Sequence, residues 1–167
     1  MTIVKTCTLL LLLLPGQLWA LSTDSEQPIE VEADELEVRD QEKISIYLGN
    51  VVMVQGSLEI NADRVVIHLN EANELVLIEM TGTPATFRQL NDDQQEILGE
   101  ALNIDYKQSE SLLELRDSAR VSQAGDIIES DLILVNTESS SLQAGSTESD
   151  QRVKMLIQPK QNSNGSE

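Results

Sequence analysis

The segment SLEINADRVVIHL, residues 57–69, changes phase partway along its length. Leu58 and Ile60 alternate with polar neighbours, as in a strand with one dry and one wet face. Continued, that phase would put Ala62, Arg64, Val66 and His68 inside, yet the better apolar set is Val65, Ile67 and Leu69. A slip of one residue turns every side chain to the opposite face. The chain must therefore bend or bulge at Asn61-Ala62-Asp63.

The pattern recurs as branched apolar, any residue, small, acidic, any, apolar, any, apolar. Val31-Glu32-Ala33-Asp34 leads to Leu36 and Val38, and Ile60-Asn61-Ala62-Asp63 to Val65 and Ile67. Ile97-Leu98-Gly99-Glu100 leads to Leu102 and Ile104, and Ile128-Glu129-Ser130-Asp131 to Ile133 and Val135. Turn-type breaks lie between them at Gly49-Asn50, Gly82-Thr83-Pro84, Asp117-Ser118 and Ala144-Gly145. Breaks at 34, 49, 63, 82, 100, 117, 131 and 145 interrupt the chain every 14 to 19 residues. A repeat of about 30 residues predicts stacked units, each burying its dry face against the next.

Composition between the breaks is Val-, Ile- and Thr-rich and alternating, with no helical period of useful length. A small residue fits the crowded inside of a corner, and the neighbouring carboxylate can accept hydrogen bonds from backbone amides. The expectation is a two-walled, all-β structure of antiparallel strands. Its inward set begins with Ile29, Val31, Tyr47, Val51 and Met53 and continues with Leu58, Ile60, Val65 and Ile67. The second half adds Phe87, Ile97, Ile104 and Tyr106, then Leu113, Leu115, Val121, Ile128 and Ile133. Such an aliphatic interior suits either a closed core, which composition alone favours, or a groove for lipid chains. Residues 136–150 read as a weak strand with polar turns, and 160–167 as a disordered tail.

Residues 1–20 carry Lys5, a short leucine run and Ala20 before the expected cut, the pattern of a secretory signal. The run is too short to span a bilayer, which takes about 20 apolar residues. Cleavage leaves one domain, 21–159 plus the tail, without cysteine because Cys7 departs with the signal. The loss of Lys5 takes the net charge from −18 to −19, which argues against nucleic acid as a partner.

No catalytic constellation stands out. His68 is alone on an outward position, and a nucleophile–base pair has no cysteine and one histidine to draw on. Asp34, Asp63, Glu100 and Asp131 could form a metal ladder, but they lack the spacing and glycine of a calcium loop. Corner capping accounts for them more simply, and no cofactor or metal is expected.

Gln27-Pro28-Ile29-Glu30-Val31-Glu32-Ala33-Asp34, Gly49-Asn50-Val51-Val52-Met53-Val54-Gln55-Gly56, Ile60-Asn61-Ala62-Asp63-Arg64-Val65 and Gly82-Thr83-Pro84-Ala85-Thr86-Phe87 carry a resemblance. They resemble the OstA-like family of periplasmic lipopolysaccharide-transport proteins, across residues 27–159. The resemblance implies an open, twisted β-jellyroll (a β-taco) whose inside carries lipopolysaccharide acyl chains. It also implies a bridge from an inner-membrane extraction complex to an outer-membrane translocon. The strong negative charge departs from that picture, because lipid A and the inner core are anionic. Either divalent cations screen the phosphates, or the sugars stay in solvent while the protein holds the chains.

Three classes of function follow: a lipopolysaccharide carrier without turnover, an exported structural repeat binding partners through its edges, and a metal-assisted hydrolase. Open sheets have end strands that invite pairing. The first strand places Glu30 and Glu32 outward, and the last places Arg152 and Lys154 outward with Val153 and Met155 inward. Opposed charges at the two ends predict a head-to-tail homo-oligomer by strand addition.

Overall fold

The computed structural model describes Asp24 and residues 27–91, 93–139, 141–145 and 152–159. The expected signal segment and tail lie outside them. Ten antiparallel strands form one sheet: β1 (Glu30–Glu32), β2 (Glu35–Arg39), β3 (Ile44–Gln55), β4 (Leu58–Leu69), β5 (Leu75–Leu90), β6 (Glu96–Lys107), β7 (Leu112–Gln123), β8 (Asp126–Asn136), β9 (Ser141–Ala144) and β10 (Lys154–Leu156). The order is β1-β3-β4-β5-β6-β7-β8-β10, with β2 also on β3 and β9 also on β8.

Every pairing between long strands breaks register along one line, and β4–β5 shifts a second time between His68 and Leu69. Pairing shifts between Leu48 and Val51, Asn61 and Arg64, Thr81 and Ala85, Glu100 and Asn103, and Arg116 and Ala119. The sheet folds along this line into two walls. The first wall is bounded by β1 and β10, the second by β2 and β9. At the crease a single residue of β4 and of β8, Asp63 and Asp131, stands unpaired opposite two residues of β3 and of β7. In β3 and β7 the crease is made by Gly49-Asn50 and Asp117-Ser118, all four with left-handed φ. The inside of the fold pairs Val51 with Ala62, Ala85 with Ala101 and Ala119 with Ser130. Small side chains are required where two walls diverge from one line.

One repeat is out of phase with the expectation. Pairing places the third crease at Ala101-Leu102, not at Gly99-Glu100. Leu102, exposed, holds the bulge position that Asp34, Asp63 and Asp131 hold elsewhere. The corner carboxylates also bond differently from the expected amide caps. Asp34 accepts from Asn50 Nδ2 at 2.8 Å and Asp63 from the Thr83 hydroxyl at 3.1 Å. They tie neighbouring strands together through side chains.

Inward residues stack in continuous rungs. On the first wall Val31, Met53, Ile60, Phe87, Gly99, Val121, Ile128 and Met155 lie in register. On the second wall Leu36, Tyr47, Val65, Met80, Ile104, Leu115, Ile133 and Ala144 do so. The walls meet in one apolar cluster in which Met53, Ile60, Val65, Ile78, Ile104, Leu113, Leu115 and Ile133 are fully buried. Each such side chain contributes roughly 1.5–3 kcal/mol by leaving water.

Candidate functional site

The space between the walls is the candidate site, and the inward residues of the sequence were expected to line it. Val51, Met53, Leu58, Ile60, Val65, Phe87, Ile104, Tyr106, Leu115 and Val121 are buried in the cluster, and Ile29, Val31, Tyr47 and Ile67 pack half-buried against it. Ile78 and Met80 belong with them but escaped the sequence reading. Leu75-Val76-Leu77-Ile78 is an unbroken apolar run with no alternation to fix its face. Counting from the Gly82 break, or pairing against Val65 and Ile67, would have fixed it.

The interior is uniform in chemistry along its length. Among the described residues, Gln55 and Asp24 are the buried polar or charged side chains, and both sit at the rim. The walls touch at the centre. At one mouth they leave a slot of about 30 Å³ with Phe87, Ile97, Val121, Val135 and Leu142 below and Gln89, Asn91 and Gln123 around it. That is little more room than one water needs. The Tyr106 hydroxyl hydrogen-bonds Thr137; burial pushes its pKa up, the Thr137 bond opposes this, and the Asp24 charge adds to it.

At both ends of the fold the inward phase runs out into solvent. Leu36 and Val38 on β2 are 58% and 57% exposed, as is Met155 on β10 at 57%. Rungs that are dry in the middle are bare at their ends.

The charges lie outside. Glu30 and Glu32 are exposed on β1, and Arg152 and Lys154 are exposed at the opposite end. The expectation of one end strand per end is corrected here: each end has two, one per wall. Lys154 also stands opposite Glu129 in register, and a cleft on the outer face holds Arg152 and Lys154 with Glu100, Glu129 and Asp131. The basic pair therefore already has acidic neighbours in its own chain. His68 is outward, 2.6 Å from Glu79. Among the described residues, no three His, Asp or Glu side chains converge as metal ligands.

The sequence profile of the family described as "LptA/(LptD N-terminal domain) LPS transport protein" matches residues 30–141. The lipopolysaccharide export system protein LptH of Pseudomonas aeruginosa is 30% identical over 148 residues, spanning 84% of this chain and 85% of that protein. The lipopolysaccharide export system protein LptA of Escherichia coli K12 is 30% identical over 144 residues, spanning 86% and 77%. The crystal structure of LptH, described as the LptA-homologous periplasmic component of the lipopolysaccharide transport device of P. aeruginosa, superposes with a TM-score of 0.75. It covers 82% of this chain and 99% of that one at 30% identity. The two-walled sheet, its charge-free interior and these likenesses converge: the chain belongs to the LptA/LptD N-terminal-domain family of lipopolysaccharide transport proteins.

Proposed function

We propose that this protein is a periplasmic carrier of lipopolysaccharide, holding acyl chains between its walls and forming part of a bridge between the inner and outer membranes. The observation that carries the reading is the unbroken apolar interior, free of charge from one bare end to the other. A transient passenger made of saturated chains needs such a lining and no fixed polar contacts along it. Among the described residues the charged side chains lie on outer faces and rims, so they do not oppose chains that lie inside. Transfer of this kind involves no bond made or broken, and no reaction is assigned.

Because the walls touch, acyl chains must part them. The slot beside Phe87 and Ile97 is where entry takes least displacement. Separating the walls exposes apolar area, which the entering chains cover again. The bridge follows from the ends. Among the described residues each presents two short strands with an unpaired backbone edge, with bare inward side chains on β2 at one end and β10 at the other, so another copy, or a membrane-bound partner at either side, can continue both walls by strand addition. A second reading, an edge-binding structural repeat that carries no lipid, is favoured by the closed centre.

A pair of neighbouring substitutions separates the two. Ile97 faces the slot and Leu98, next in β6, faces solvent. Ile97→Asp should lower lipopolysaccharide affinity at least about tenfold, because a lone carboxylate in an apolar site is costly, while Leu98→Asp should leave it unchanged. Equal affinities in two folded variants would favour the edge-binding repeat.

A further inference from the structure

The one buried carboxylate among the described residues is not part of the interior lining. Asp24 precedes β1 and reaches into the mouth between the walls, 9% exposed. Its Oδ1 accepts from the Ser57 amide at 3.0 Å, and its Oδ2 from the Ser57 hydroxyl at 2.5 Å and from Gln89 Nε2 at 3.3 Å. These donors come from the β3–β4 turn and from β5, and none of them is charged.

The donor set is built rather than incidental. The Leu90 amide donates to Ser57 Oγ at 3.2 Å, which leaves the Ser57 hydroxyl proton directed at the carboxylate. Gly56 supplies the space: a Cβ there would lie 2.3 Å from Asp24 Oδ1 and 2.8 Å from its Cγ. Backbone and hydroxyl donors that converge on one point in a concave turn make an oxyanion site. Outside the cradle, the Gln27 amide donates to Asp24 O at 3.0 Å, and Gln55 Nε2 donates to Gln27 O at 3.1 Å.

We infer that the Ser57–Gln89 cradle is a receptor for a phosphate oxyanion and that Asp24 occupies it as a removable stand-in, latching the mouth of the groove. The inference rests on the carrier reading for the identity of the incoming group, a phosphate on the lipid's sugar head. It explains how a strongly acidic chain can receive an anionic ligand: the phosphate takes a place already shaped for a carboxylate, and one negative group leaves as another arrives. Charge-assisted hydrogen bonds of this type are about twice as strong as neutral ones, so the exchange is close to balanced.

The test begins without lipid. Asp24→Ala, titrated with inorganic phosphate and followed by NMR at the Ser57 backbone amide and the Gln89 side-chain amide, should show saturable shifts. The parent protein and Asp24→Ala/Ser57→Ala should not, and chloride at matched ionic strength should not reproduce them. No saturation in folded Asp24→Ala overturns the inference. Asp24→Asn, which keeps the shape and weakens the acceptor, serves if the alanine variant does not fold. Loss of fold in both also overturns it, because a latch that opens cannot be what holds the domain together. The lipid arm then identifies the source. Asp24→Ala should bind phosphorylated lipopolysaccharide roughly tenfold more tightly, as for a site otherwise open about a tenth of the time, with no gain for the dephosphorylated lipid. An equal gain for both lipids would mean that the segment merely covers the mouth. Failure of parent and variants to bind either lipid refutes the carrier reading, and the phosphate titration still decides the cradle.

Discussion

Gly99→Ala tests whether the walls pack as described. Gly99 stands opposite Phe87 in the β5–β6 pairing, and the Phe87 ring lies over it. A Cβ added at Gly99 would fall 2.0 Å from Phe87 Cε1, 2.6 Å from Cδ1 and 2.7 Å from Cζ. Ordinary contact between carbons is about 3.5–4.0 Å, so the ring must move well over an ångström. Phe87 is 2% exposed and cannot swing out without disturbing the cluster. Forced overpacking of a filled core costs about 1–3 kcal/mol, and for a domain of this size each kcal/mol lowers Tm by roughly 2–5 °C. Thermal unfolding followed by circular dichroism should therefore show a Tm lower by about 2–15 °C. Phe87→Leu alone also destabilises, through lost volume. Combined with Gly99→Ala it removes the clash, so the two losses should fall short of additive by at least about 1 kcal/mol. Additive losses would refute the packing of Phe87 on Gly99.

Three further outcomes follow from the side-chain contacts. Asp63 is exposed and bonded to the Thr83 hydroxyl, so Asp63→Ala should lose only about 0.5–1 kcal/mol in urea unfolding; a calcium-dependent rise in Tm that this variant abolishes would revive the metal ladder. Burial lifts the Asp105 carboxyl above its usual 3.8, opposed by the Arg116 guanidinium. The folded state then holds its proton more tightly than the unfolded chain does, so this group's contribution to stability falls as pH rises from the ordinary value through the raised one. Asp105→Asn should remove that part of the slope in urea midpoints measured across acidic pH, and an unchanged slope would contradict the assignment. Deleting residues 152–167 strips β10 from the first wall, so sedimentation velocity should show fewer head-to-tail oligomers; an unchanged distribution would refute the end-strand account.

The phase break at Asn61-Ala62-Asp63 was readable because Asp63 is polar where its neighbours alternate. The same logic failed at the third repeat, where Leu102 fills the bulge and makes the alternation appear to shift two residues early. Hydropathy sees a bulge only when the extra residue breaks the pattern. The double ends were hidden for a related reason: β1 and β2 are one strand interrupted by the crease, while β9 and β10 are separate short strands that add to the two halves of β8. Nothing local marks which wall either one joins. Asp24 was out of reach altogether, since its partners lie 33 and 65 residues away and its neighbours carry no periodic signal. What alternation encodes is the face of a strand. Which distant groups meet at a rim is decided by how the walls close.

The carrier account is tested most directly by photo-crosslinking in cells that export lipopolysaccharide. A photoreactive apolar residue is placed singly at Tyr47, Ile67 or Ile97, half-buried on the inner faces, and at the outward Glu59 and Leu98 as controls. The account predicts lipopolysaccharide adducts at all three inner positions and none at the controls. Inner positions that yield no lipid adduct, in a protein that is folded and exported, would contradict it.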